Sequence, residues 1–442
     1  MKKVIALLLA VVLVIGLAAC APAGSAKTSA AATSKATSAA TTAAATTAAA
    51  AATTAATSTQ AATTAGQSTS STPVDASKLK VGAIMVGDEN EGYTYAHVLG
   101  INDMKKNLGL SDDQVIIKWN IGENEDCYDA AVDLAEQGCN IIFANSFGHE
   151  SYILQAAKEY PNVEFCHATG YQAASSGLKN MHNFFTAVYQ SRYVSGVVAG
   201  MKLAELYGAD NNKKIGYVGA YSYAEVVSGY TAFFLGVRSV CPNVTMEVKY
   251  TGSWADQALE KETAEALIAD GCVLIGQHAD TTGAAAACES AKVYDVGYNV
   301  SMIDTAPNYA LTSASIKWGP YYTYAATCAA KGESFPADWC QGHSDNAVWI
   351  TDLNPKTIAK GTEAKVEETW KKIDSGELHV FDTSTFTVKG QKVTTTATDE
   401  LKDTYHGVEY ISPDGYFMES EKASAPSFQF RIDGITELNS KF

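Results

Sequence analysis

One strand–loop–helix pattern is written twice in this chain, and nothing else in the sequence constrains its fold as strongly. Lys80 to Gly87 is an apolar run, followed by a helix-like stretch that opens at Gly92-Tyr93-Thr94. Lys214 to Gly219 is a second such run, and its helical stretch carries Gly229-Tyr230-Thr231, 137 residues further on. Val115 to Trp119 and Met246 to Tyr250 form the next apolar pair, 131 residues apart. Gln137-Gly138-Cys139 and Asp270-Gly271-Cys272, 133 residues apart, each stop a helical pattern at glycine and open another apolar run. Three matches in the same order predict two lobes of one architecture.

Strands alternating with helices of this length imply βαβ units and parallel sheets, an α/β class. The strands are continuously apolar, as expected when helices cover both faces of a sheet. We expect lobe one over 78–185 with part of 315–345, lobe two over 186–314, and a C-terminal segment, 346–442, packed on the lobes. In that segment Trp370 to Ile373 reads as helix. His379 to Phe381, Thr385 to Val393 and Phe428 to Phe430 read as short strands or arms.

Ligands of such sheets sit beyond the carboxyl ends of the strands. The loops there carry Asp88, Tyr93, Asn145, Phe147 and Thr169 in lobe one, and Tyr221, Trp254, Asp280, Asn299 and Ser301 in lobe two, with Lys317 and Trp318 as further candidate ligand residues. Aromatic faces sandwich flat rings, while carboxylates and amides fix hydroxyls or ring nitrogens. Blander readings stand beside these: Tyr93 as a surface tyrosine, Asp280 as a helix cap, and Trp318, before Gly319-Pro320, as core. His278 and Asp280 lack neighbours to complete a metal site, and no metal or cofactor is expected. No Gly-x-Ser-x-Gly elbow or phosphate loop supports catalysis.

The first twenty residues read as an export signal. Lys2 and Lys3 precede an apolar run that ends at Leu17-Ala18-Ala19-Cys20, a lipobox-like cleavage site with Cys20 as the lipidated residue. Residues 21–77, rich in Ala, Thr and Ser, read as a flexible stalk with a random-coil reach of about 40 Å. A formal charge of −16 without basic clusters argues against nucleic acid as a partner. The eight cysteines beyond Cys20 lack CxxC spacing and sit in apolar patterns, as buried thiols do.

At the cleft loops the sequence resembles the basic membrane protein family of lipoprotein solute receptors. The residues that carry the resemblance are Gly92-Tyr93-Thr94-Tyr95-Ala96-His97, Asn145-Ser146-Phe147-Gly148, Gly252-Ser253-Trp254-Ala255-Asp256, Gln277-His278-Ala279-Asp280 and Trp318-Gly319-Pro320-Tyr321-Tyr322. The resemblance implies a two-lobed periplasmic-binding-protein-like fold of type I. It also implies a lipid-anchored receptor on the extracellular face, handing a purine nucleoside or base to an ABC transporter permease. It places stacking rings at Tyr93, Phe147 and Trp254. Ser301 stands where the family has an aspartate. Ile316 stands where the nucleoside branch has a lysine, with Lys317 one residue on. Alternatives are a sensor subunit or a cell-surface nucleoside or sugar hydrolase.

Overall fold

The structure, a computed structural model, describes residues 75–439. Cys20, the export signal and nearly all of the Ala/Thr/Ser-rich stretch lie outside the described residues.

The first half runs β1 (Val81–Ile84), α1 (Gly92–Leu108), β2 (Val115–Lys118), α2 (Glu125–Glu136), β3 (Ile141–Ala144), α3 (Glu150–Glu159), β4 (Glu164–Ala168), α4 (Ala173–Ser176) and β5 (Met181–Thr186). Next come α5 (Val188–Tyr207), β6 (Lys214–Gly219), α6 (Ala224–Arg238), β7 (Thr245–Tyr250), α7 (Gln257–Ala269), β8 (Leu274–Gln277), α8 (Gly283–Ala291), β9 (Tyr294–Tyr298) and β10 (Ala310–Ile316). The chain continues through α9 (Gly319–Lys331), β11 (Asp338–Gln341), β12 (Val348–Ile350), α10 (Thr362–Asp374), α11 (Lys402–Tyr405) and β13 (Ile435–Asn439).

Two sheets result. One has the order β11-β5-β4-β3-β1-β2, the other β12-β10-β9-β8-β6-β7-β13. All pairings are parallel except β12 on β10. The central strands echo each other: β1 lies between β2 and β3, as β6 lies between β7 and β8. The repeated sequence pattern is thus a repeated sheet, in the two-lobed α/β architecture expected.

The lobes exchange elements. After β5 the chain passes to the second lobe, where α5 packs on α6 and β10. After β10 it returns, and α9 packs on α1. Strand β11 joins the first sheet beside β5, and β12 joins the second beside β10. Glycine permits the tightest of these contacts. A Cβ on Gly196 of α5 would lie 2.1 Å from the Phe233 carbonyl oxygen of α6, so the helices meet backbone to backbone.

The first lobe's core joins Phe143, Phe184, Trp318, Tyr321 and Tyr322. The second lobe's core includes Tyr217, Tyr230 and Phe233, and extends into the C-terminal segment through Trp370, Phe381, Phe417 and Phe428. The segments expected there form arms rather than strands, with one isolated bridge, Val388 to Gln391, inside 385–393, and Phe381, Phe386 and Phe428 are buried by aromatic packing. The buried Glu419 carboxylate accepts from the Ser228 hydroxyl of α6 and from the backbone N–H groups of Ser427 and Phe428, both at 2.9 Å. Strand β13 then extends the second sheet along β7. The eight cysteines among the described residues are free thiols, and all but Cys340 are buried.

Candidate functional site

The β→α loops of both lobes converge on a cavity of about 490 Å³. Lobe one contributes Val86 to Asp88, Asn90, Glu91 and Tyr93 after β1, Asn120 after β2, Asn145 to Phe147 after β3, and Thr169 after β4. Lobe two contributes Tyr221 and Glu225 after β6, Ser253 to Ala255 after β7, His278 to Thr281 after β8, and Tyr298 at the end of β9.

Asn145 organises the lobe-one side. Its side-chain carbonyl accepts from the Val86 N–H at 2.9 Å, its amide donates to Thr94 Oγ1 at 3.3 Å, and its backbone carbonyl accepts from the Tyr93 hydroxyl at 2.7 Å. Glu91 caps α1, accepting from the backbone N–H groups of Tyr93 at 2.8 Å and Thr94 at 3.1 Å. On the lobe-two side, Asn299 donates to Asp280 Oδ1 at 2.9 Å. Asn299 sits in the left-handed region at φ 60°, which asparagine tolerates, and so turns its amide back toward Asp280.

Aromatic rings from both lobes form the cavity's flank. Phe147 of lobe one meets Tyr223 of lobe two at a centroid distance of 5.3 Å. Tyr223 stacks on Tyr221 at 5.2 Å, and Tyr221 meets Trp254 edge-on at 5.0 Å. These separations suit favourable aromatic pairing.

The polar part is acidic and buried. Burial, then the neighbouring Glu91, Glu260 and Glu225 charges, hold the Asp280 carboxyl well above the usual carboxylate range, against the pull of Arg192. Burial raises Glu91 to about 7, opposed by its bonds to Thr94 and Tyr93. His278 bonds Glu225 at 3.1 Å, yet burial lowers it to about 4, so it is neutral. Arg192 lies behind the cavity wall, 3.5 Å over the Tyr298 ring, donating to the Gln277 carbonyl at 2.7 Å.

Of the residues expected from sequence, Asp88, Tyr93, Asn145, Phe147, Thr169, Tyr221, Trp254 and Asp280 line this cavity. Asn299 stands behind Asp280. Three do not reach it. Ser301 is exposed, its hydroxyl bonded to the Ile303 N–H at 3.3 Å. Lys317 is bound away, its ammonium donating to Asn346 at 2.7 Å and lying over the Trp349 ring. Trp318 is core, 1% exposed and stacked on His97 at 4.0 Å. Sequence reading did not name Glu91, Glu225 or Tyr298 as ligand residues, and it weighed His278 toward a metal site rather than a solute. Glu91 precedes the helix start at Gly92, a capping position that was legible.

Two similar lobes presenting their loops to one cavity define the architecture of a solute-binding protein. Residues 78–384 match the Bmp family, ABC transporter substrate-binding proteins that are PnrA-like. The chain belongs to this family, whose members receive small molecules outside the cytoplasm and deliver them to permeases. It is 34% identical over 313 residues to a purine-binding protein of Brucella abortus, covering 69% of this chain and 83% of that one. It is 31% identical over 252 residues to a putative ABC transporter glucose-binding protein of Haloferax volcanii, covering 57% of this chain and 61% of that one. The fold is similar to a solved ABC solute-binding protein of Conexibacter woesei, with TM-score 0.57, 20% identity and coverage of 68% of this chain and 98% of that one. A solute-binding protein of Aeropyrum pernix has TM-score 0.58, 16% identity and coverage of 69% and 93%.

Proposed function

We propose that this protein captures a purine base or nucleoside for an ABC importer, stacking the ring among Phe147, Tyr221 and Trp254 and holding its polar edge with Asp280, Asp88 and Asn145. The observation that carries this reading is the aromatic flank built from both lobes beside a floor of carboxyls and amides. A flat ring gains stacking there only when the lobes close. No lysine or arginine is among the described residues lining the cavity, so phosphorylated nucleotides meet carboxylates without a counter-charge and are disfavoured. The purine-binding Brucella relative supports the ligand class; the glucose-named Haloferax relative makes a hexose the competing ligand. Tyr93 serves the wall through its hydroxyl bond to Asn145 rather than as an open stacking face. Export and anchoring through Cys20, with residues 21–77 as stalk, complete the proposal.

Calorimetry across adenine, guanine, their nucleosides and nucleotides, and a panel of hexoses and amino acids tests it. Binding of a base or nucleoside with rejection of the nucleotides is expected. Tight binding of a hexose with failure of every purine overturns the ligand assignment.

A further inference from the structure

Two acidic side chains from opposite lobes line one cleft without an ion-pair partner among the described residues. Glu91 precedes α1 in lobe one and is 8% exposed; Asp280 follows β8 in lobe two and is 6% exposed. Their backbones are locked together, since the N–H of Gly92 donates to the Asp280 carbonyl at 2.9 Å. Both side chains line the same cavity. Among the described residues neither forms an ion pair with Lys, Arg or His.

The surroundings add negative charge. Asp88 faces Glu91 from the same loop. Glu225 faces Asp280 from the start of α6, and Glu260 faces it from α7. Tyr93 of α1 and Tyr298 of β9 face the same space as neutral phenols. Two basic groups stand nearby without pairing to either carboxyl: Arg192 of α5 donates to the Gln277 carbonyl and lies over the Tyr298 ring, its charge pulling on Asp280 only in part, and His278 bonds Glu225.

Two carboxylates closed together in a desolvated site cannot both stay ionised cheaply. The two differ in how well they hold charge. Both Glu91 oxygens accept backbone N–H groups at a helix N-terminus, which favours the carboxylate. Asp280 accepts from the neutral Asn299 amide.

We propose that closing the lobes loads one proton onto the Glu91–Asp280 pair, so that capture of the solute is proton-linked. The proton comes from the solvent and forms an O–H bond at one carboxylate of the pair, and it returns to the solvent when the lobes part and both groups are hydrated again. The inference rests on the reading of this cleft as the closing solute site. The sign follows directly: the closed state binds more protons than the open one, so closure is favoured at low pH and lost as pH rises. Burial raises Asp280 and Glu91, the latter to about 7, which sets the window from the ordinary carboxylate range up to neutrality.

Two measurements on the full chain test this. The first needs no ligand: amide hydrogen exchange over residues 88–95, corrected for the intrinsic pH dependence. The wild type is expected to be protected at pH 5.5 and unprotected at pH 8, whereas Asp280→Asn is expected to be equally protected at both. Should that variant fail to fold, Glu91→Gln is expected to keep its protection to higher pH. The second is adenosine calorimetry in buffers of different ionisation enthalpy, where uptake of about one proton and a Kd rising up to about tenfold per pH unit are expected. Wild-type exchange that is the same at both pH values, or an unchanged pH dependence in the variants, overturns the proton link. If adenosine and every other purine fail to bind while the exchange result holds, the ligand reading fails and the proton link stands.

Discussion

The backbone N–H of Gly92, the first residue of α1, donates across the cleft to the backbone carbonyl of Asp280 at 2.9 Å. A side chain at position 92 meets the opposite lobe at once: a Cβ there would lie 3.1 Å from the Asp280 carbonyl oxygen and 3.3 Å from the Val300 side chain. Gly92→Val should therefore hold the lobes apart. We expect loss of exchange protection at residue 92 and ligand binding weakened by at least about tenfold, or ~1.4 kcal/mol. Undiminished affinity in calorimetry would show that this contact does not gate closure.

Two tryptophans that look alike in sequence should fail differently. Trp254 is a cavity wall resting on Tyr221, so Trp254→Ala should cost at least about tenfold in affinity with little change in melting temperature. Trp318 is core, so Trp318→Ala should destabilise the fold by about 3–5 kcal/mol. Thermal melts beside calorimetry separate the two. Equal melting temperatures for the two variants would contradict the assignment of Trp318 to the core.

Asp295 in β9 is fully buried and neither of its carboxyl oxygens has a partner, so burial pushes it up to about 8. Its folded value lies above the unfolded one of about 3.9. The native state therefore binds the extra proton, and stability falls as pH rises from about 4 toward 8. Asp295→Asn should raise the melting midpoint by about 2 °C or more at pH 7.5 and leave it nearly unchanged at pH 4. A variant less stable than wild type at pH 7.5 would mean that the carboxylate has a stabilising role.

Glu419 fastens the C-terminal segment to the second lobe. Glu419→Ala leaves the Ser228 hydroxyl and the Ser427 and Phe428 amides without their acceptor, at a cost of about 1–3 kcal/mol for each group left unsatisfied. Hydrogen exchange should quicken over residues 416–430 before it does in β6 or β8. A uniform change across the second lobe would show that the segment unfolds only with its core.

Cys20→Ser tests the proposed anchor. The variant should leave the membrane fraction or accumulate unprocessed. Normal processing with unchanged partitioning would remove lipidation from the proposal.

The architecture was legible because it rests on local pattern. Apolar runs at Val81–Ile84 and Lys214–Gly219, with glycine stops at Gly138 and Gly271, follow from strand and helix chemistry within a few residues. Tyr93, Phe147, Trp254 and Asp280 were legible as cleft residues for the same reason: each lies just past a strand's carboxyl end, where a parallel sheet presents its loops. Lys317 and Trp318 also follow a strand, yet the chain there crosses to the other lobe. Trp318 is pressed against α1, where a Cβ on Gly100 would meet its side chain at 2.6 Å. Lys317 turns to Asn346, and its position in sequence carries no sign of that crossing. The apolar runs at His379–Phe381 and Phe428–Phe430 read equally as short strands or arms, and only the tertiary structure decides for arms: Phe381 and Phe428 stack at 4.2 Å against a core built some two hundred residues earlier. The encounter of Glu91 with Asp280 was equally out of reach. A strand is specified by its own neighbours, but two carboxyls from opposite lobes share one cleft only once the tertiary fold has brought the lobes together.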